Sequence, residues 1–321
     1  MRYVTLPGTD LEVSVVGFGA WAVGGKWWGD DVRDEDSIAA VRRARELGVT
    51  LFDTAPLYGH GHADEVLKQA LGDAMGEVTV ATKVGVRWDG SGEHAESDLC
   101  AAYVREDCEA SLRRLGVETL DLLQVHWPCE HDTPLEETLE ALRALKREGK
   151  IRHFGLCNYA APELEQALAG GDLGVFQTPY SMIRREFEDE LSQVVKPDAK
   201  AEARVGVFAY ETLARGLLSG KFRTLPRFPQ SDLRARDPRY WGTRFFRLAR
   251  WVDLLRQASE RVDEPTAALA AGWALSRPEV STVLIGAKRP AQVEQNVRAS
   301  DVAARPEVVH LLDRIAGAYR G

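Results

Sequence analysis

The chain has 321 residues, 45% hydrophobic and 28% charged, with a formal net charge of −8. That composition suits a globular protein with a large core, and the acidic balance argues against nucleic acid or an anionic membrane as the main partner. No apolar run reaches the roughly 18 residues that a membrane span needs.

The opening Met1-Arg2-Tyr3-Val4-Thr5 holds no apolar signal segment, so a cytoplasmic protein is expected. Cys100, Cys108, Cys129 and Cys157 contain no Cys-x-x-Cys pair, and reduced thiols are expected. In chain order, residues 3–15 predict a hairpin about a Pro7-Gly8-Thr9-Asp10 turn. Strands are then predicted at 15–18, 49–53, 78–82, 120–125, 151–156, 175–177, 205–209 and 280–285. Helices are predicted between them, at 34–47, 63–71, 103–115, 134–148, 161–168, 189–203 (interrupted by Pro197), 247–262 and 265–276, with 290–299 and 305–319 closing the chain. These strands are continuous apolar runs, as in a parallel sheet buried on both faces. A doubly wound sheet would also alternate, but eight units without a linker favour closure. The expectation is one domain over residues 1–321, a (β/α)8 TIM barrel with the hairpin capping its amino-terminal mouth.

Chemistry gathers at successive strand ends. Asp53 and Tyr58 follow the second strand, Lys83 the third and His126 the fourth. Each has a plain reading: a turn cap, a packed phenol, a solvated lysine, a core histidine. A barrel aims these positions at one point, however, and together they make a coherent proton-transfer set. A free tyrosine, with a pKa of about 10, is a poor acid at neutral pH, and a nearby ammonium is expected to lower that value. Asp53 would hold Lys83, neutral His126 would orient a carbonyl, and Tyr58 would protonate the developing alkoxide. No side chain delivers hydride, so a nicotinamide cofactor is implied.

The motifs Asp-Thr-Ala-x-x-Tyr-Gly (53–59), Thr-Lys-Val-Gly (82–85) and Leu-Gln-Val-His-Trp-Pro (123–128) resemble those of the aldo-keto reductase superfamily, over essentially the whole chain. The likeness is greatest to the bacterial branch related to sugar and aldehyde reductases and to potassium-channel β-subunits. It implies NADPH bound in extended form, with Tyr58 as the acid, Lys83 and Asp53 as its partners and His126 steering the carbonyl. On the same likeness, Gly19, Ala20 and Trp21 match a nicotinamide-side loop, and Asn158 and Gln177 match the pair on the carboxamide. Tyr210 matches the stacking aromatic. Leu213, Gly216, Leu218, Ser219 and Lys221 resemble the loop over the pyrophosphate. Gly286, Lys288, Arg289, Gln292 and Asn296 resemble the adenosine-phosphate clamp. Cys157, Ile285 and Gln295 depart from the family's usual serine, proline and glutamate.

The substrate pocket is expected to be lined by Trp21, Trp27, Trp28, Trp88 and Trp127 beside Tyr58 and His126, a surface for sugars or planar carbonyls. The stretch 223–250 is rich in arginine and has two readings: a solvated loop balanced by neighbouring acids, or, through Arg239 and Arg244, a site for an anionic substrate. Gly17-Phe18-Gly19 lacks the third glycine of a dinucleotide fingerprint. His60 and His62 lack the companions of a metal site, and His94 and His131 read as loop residues. Two other functions stay open: a nicotinamide-binding regulatory subunit of the channel type, and a sugar dehydrogenase working oxidatively.

Overall fold

The computed structural model describes residues 1–89, 95–196 and 202–319. It opens with the expected antiparallel hairpin, β1 (Tyr3–Thr5) with β2 (Glu12–Ser14). Then follow β3 (Val16–Gly19), α1 (Asp34–Glu46), β4 (Leu51–Asp53), α2 (His62–Leu71) and β5 (Thr79–Val84). A second hairpin, β6 (Val86–Trp88) with β7 (Ala95–Ser97), precedes α3 (Ala101–Leu115). The alternation continues through β8 (Leu120–Val125), α4 (Leu135–Arg147), β9 (Ile151–Cys157), α5 (Ala161–Ala169), β10 (Val175–Pro179), α6 (Glu190–Val195) and β11 (Gly206–Tyr210). The chain ends with α7 (Gly242–Val262), α8 (Thr266–Leu275), β12 (Thr282–Ile285), α9 (Pro290–Val297), α10 (Ala299–Val302) and α11 (Pro306–Gly317).

β3, β4, β5, β8, β9, β10, β11 and β12 close into a parallel barrel in chain order. Side chains alternate along a strand, so residues two apart share a face. Leu51, Ala81, Leu122, Val175, Phe208 and Leu284 form one inward layer, and Leu6, Leu11 and Val13 of the leading hairpin pack against it as a plug. Two residues further along, the same strands place Asp53, Lys83, Gln124, Gln177 and Tyr210 on the same inward face. An apolar floor therefore carries a polar layer directly above it, at the carboxyl ends of the strands.

Three departures from the predicted elements have local causes. Of the helix expected over 189–203, α6 ends at Val195, because Lys196 turns extended (φ −145°, ψ 91°), as a residue before proline tends to do. Residues 197–201 and His94 lie outside the described residues. The β6–β7 hairpin was not foreseen, being two three-residue strands inside a loop. The helix expected over 247–262 begins earlier, at Gly242, after an irregular stretch that carries short 3-10 turns at Ala214–Ser219, Leu233–Arg236 and Pro238–Tyr240.

Candidate active site

Strand register assembles the site. Lys83 pairs with Gln124, Gln124 with Gly155, and Cys157 with Gln177. Lys83 lies inside β5, not beyond it, and is 1% exposed; its Nζ donates to Asp53 Oδ1 (2.7 Å) and to the Thr54 carbonyl (2.9 Å). The other Asp53 oxygen accepts from Gln177 Nε2 (2.9 Å) and Gln124 Nε2 (3.3 Å). Gln124 Oε1 in turn accepts from Gln177 (3.2 Å) and from the Cys157 thiol (3.5 Å). The buried carboxylate thus has donors on both oxygens, as a charge without water requires. Gln124 escaped the sequence reading. Its only signal was one polar residue inside the buried run Leu122-Leu123-Gln124-Val125.

Tyr58 reaches this layer from the loop after β4. That loop crosses the turn after β3 so closely that a Cβ on Gly59 (φ +63°) would meet the Gly24 carbonyl oxygen at 2.2 Å. Glycine is required there. The Lys83 ammonium lies 5.0 Å from the centre of the Tyr58 ring, and the His126 ring stands edge-on to Tyr58 with centres 5.8 Å apart. Behind the loop, the Thr54 hydroxyl donates to buried Asp64 (2.7 Å), which Arg114 pairs at 3.0 Å.

The electrostatics correct one expectation. Lys83 does pull the Tyr58 phenol down, but burial outweighs it and the net pKa is pushed up to about 12. Burial also penalises the Lys83 ammonium, yet Asp53 and Tyr58 together hold its pKa above the ordinary value. Burial, reinforced by Lys83, drives His126 well below the usual imidazole range, so its ring is neutral. At neutral pH the arrangement offers a protonated phenol, a buried ammonium and a neutral imidazole at one point, a set suited to passing a proton to a polarised oxygen.

Tyr58, His126 and Asp53 line the floor of a cavity of about 920 Å³, with Lys83 buried behind them. Its wall runs from Gly19, Trp21, Asn158, Gln177 and Tyr210, past Leu213, Gly216, Ser219 and Lys221, to Gly286, Lys288, Arg289, Gln292 and Asn296. Asn158, with φ +66°, donates through Nδ2 to the His126 carbonyl (2.9 Å) and accepts from the Tyr210 hydroxyl (2.8 Å).

A model of the aldo/keto reductase family matches residues 15–316. The chain belongs to this family. It is 35% identical to aldo-keto reductase YhdN of Bacillus subtilis, over 92% of this chain and 87% of that one. It is 33% identical to the NADH-specific methylglyoxal reductase of Escherichia coli, over 94% of each. Among solved structures, the glycerol dehydrogenase AKR11B4 of Gluconobacter oxydans superposes with a TM-score of 0.84 at 31% identity, covering 99% of this chain and 97% of that one.

Against the family pattern, several expected positions fall elsewhere. Ala20 and Leu218 are fully buried in the core and do not face the cavity, because each lies on the inner side of a 3-10 turn. Trp88 does not line it either: its ring stacks on His60 at 5.0 Å, on the β6 hairpin. Trp127 lines the mouth and is 44% exposed. The arginine-rich stretch is balanced by neighbouring acids, as the plainer reading has it, but it is not simply solvated: Arg234 is buried. Arg239 is bound by Asp237 (2.6 Å) and Glu211 (3.5 Å), and Arg244 is exposed on α7; neither faces the cavity. Arg215 and Arg234 do line it, but the first is paired to Glu211 and Asp237, the second to Asp232. Among the described residues, no cluster of histidine, cysteine or carboxylate could hold a metal ion.

Proposed function

We propose that the chain is an NADPH-dependent reductase that converts an aldehyde or ketone to the alcohol. The observation that carries this reading is the convergence of Tyr58, neutral His126 and Asp53, with Lys83 paired to Asp53 behind them, at the floor of a cavity of about 920 Å³.

The wall fits such a cofactor. The Thr212 hydroxyl and the Trp28 indole N–H are buried on it without a hydrogen-bond partner among the described residues. Lys221 forms no ion pair among the described residues, and its enclosing walls, with repulsion from Arg234 and Lys288, push its pKa down to about 8. Unsatisfied donors and crowded cations of this kind favour a bound anion. Gln177 and Asn158 would hold the carboxamide, Tyr210 would pack on the nicotinamide, and Leu213, Gly216, Ser219 and Lys221 would cover the pyrophosphate. Lys288 and Arg289 would meet the 2′-phosphate. The bound dinucleotide supplies the hydride.

The chain's own residues supply the rest. His126, a donor in its neutral form, would orient the carbonyl oxygen toward the Tyr58 hydroxyl. Tyr58 would give its proton to the alkoxide as charge develops, and the Lys83 ammonium would stabilise the phenolate left behind. Asp53, Gln124 and Gln177 keep Lys83 charged and fixed. Trp21 and Trp127 would flank the substrate as apolar walls. A phenol held protonated at neutral pH favours reduction over oxidation. The oxidative reading draws on the glycerol dehydrogenase among the similar structures.

The test is steady-state oxidation of NADPH and NADH with a panel of aldehydes, run beside oxidation of glycerol and sugars with NADP+ and NAD+. Aldehyde reduction at neutral pH exceeding alcohol oxidation supports the proposal. Turnover only in the oxidative direction contradicts it.

A further inference from the structure

The adenosine end of the cavity holds an acid that the expected role of Lys288 does not need. Lys288 Nζ lies 2.9 Å from Asp31 Oδ1 and donates to the Trp28 carbonyl at 2.6 Å. Asp31 lines the same cavity wall and is itself largely open to solvent. It is not on a wandering loop. Trp28 bridges Asp232, and the Leu233 amide donates to the Trp27 carbonyl at 2.9 Å, so the segment carrying Asp31 is clasped to the loop on the opposite wall. The neighbouring cation, Arg289, is 61% exposed and only 3.8 Å from Asp36, a much looser pairing. One carboxylate is therefore held on Lys288, the more enclosed of the two cations expected to meet a 2′-phosphate.

We propose that Asp31 tempers the discrimination between NADPH and NADH by competing for Lys288. This rests on reading the cavity as the dinucleotide site. A 2′-phosphate on Lys288 must compete with Asp31 for the ammonium and settle beside a like charge. A ribose hydroxyl in its place leaves the ion pair intact. Asp31 thus weakens NADPH selectively and brings the two cofactors closer in affinity. Exposed ion pairs are weak, so the acid attenuates the preference and does not abolish it; its removal is worth roughly three- to fivefold in NADPH affinity. Charges this exposed are also screened by salt, so the effect should shrink between low and physiological ionic strength.

The experiment is equilibrium titration of the full chain, followed by quenching of tryptophan fluorescence, since Trp21 and Trp28 line the cavity. NADPH, NADH, adenosine 2′,5′-bisphosphate and adenosine 5′-monophosphate are compared for the native chain, Asp31→Asn, Lys288→Met and the double variant. Asp31→Asn should tighten NADPH and the bisphosphate by that factor and leave NADH and the monophosphate unchanged. In the Lys288→Met background the same substitution should lose most of its effect. Equal changes for all four ligands, or none while both dinucleotides bind, would overturn the role of Asp31 and spare the dinucleotide reading. Failure of folded protein to bind either dinucleotide would overturn that reading, and the proposal with it.

Discussion

Replacing Lys83 by methionine separates the structural work of the buried ion pair from its chemistry. The ammonium is 1% exposed and its partner Asp53 is 3% exposed. Removing one member of a buried pair leaves an uncompensated charge and costs about 3–5 kcal/mol. Here the lower end applies, because Gln177 and Gln124 still donate to the other Asp53 oxygen. Lys83→Met should therefore destabilise by about 3 kcal/mol, a large share of the roughly 5–15 kcal/mol typical of a folded domain. The double variant Lys83→Met with Asp53→Asn removes the stranded charge and keeps an amide that can stay in the hydrogen-bond network. It should recover at least half of the loss, yet reduce aldehydes no faster than the single variant. Urea unfolding followed by circular dichroism reads the stability, with an expected midpoint drop of roughly 1 M for the single variant. If the two variants unfold at the same midpoint, the pair is not the strut described here and the reasoning fails.

Three further outcomes follow from the geometry. Because burial pushes Tyr58 up to about 12, its protonated form persists across neutral pH. The reduction rate should be flat from about pH 6 to 9, whereas alcohol oxidation, which needs the phenolate, should climb roughly tenfold per pH unit; a reduction rate that falls with an apparent pKa near 7 argues against this assignment. Gly59→Ala should clash with the Gly24 carbonyl and swing the Tyr58 loop, lowering kcat more than tenfold. Gly8→Ala, also at positive φ but with open space around the added carbon, should cost about 1 kcal/mol of stability and no activity. Asp107 is buried under the Gly85 amide, which donates to it at 3.1 Å, and burial raises its carboxyl from 3.8 to about 7. A folded-state pKa above the unfolded one means stability is lost as pH rises between the two values, by up to about 4 kcal/mol. Asp107→Asn, which can still accept from Gly85, should stabilise the protein at pH 8 and change little at pH 4, read as thermal midpoints.

The barrel was legible because its signals are periodic and repeated: continuous apolar strands, alternating with helices that end in glycine. The proton-transfer residues were legible because Asp53, Tyr58, Lys83 and His126 interrupt apolar surroundings at corresponding strand ends. Side-chain direction was not. Ala20 and Leu218 belong to short turns, where a one-residue rotation decides between cavity and core. Trp88 was drawn aside by a hairpin too short to announce itself. The arginines of 223–250 could not be assigned from composition, since Asp232 and Asp237, two residues before Arg234 and Arg239, capture those two within the loop itself. The tyrosine pKa went the opposite way because a sequence reveals a nearby lysine but not the depth of burial. Gln124 was hidden by its ordinary identity, and only the closed barrel brings it to its partners Asp53, Gln177 and Cys157 on other strands.

The central claim is that Tyr58 delivers the proton while the rest of the site holds and orients. Its most direct test is single-turnover reduction of a reactive aromatic aldehyde by Tyr58→Phe preloaded with NADPH, with cofactor affinity measured on the same preparation. NADPH should bind the variant within about threefold of the native chain, and the reduction step should slow by roughly 10²–10⁴-fold, the usual contribution of a positioned acid. Reduction at the native rate by a variant that binds NADPH normally would contradict it.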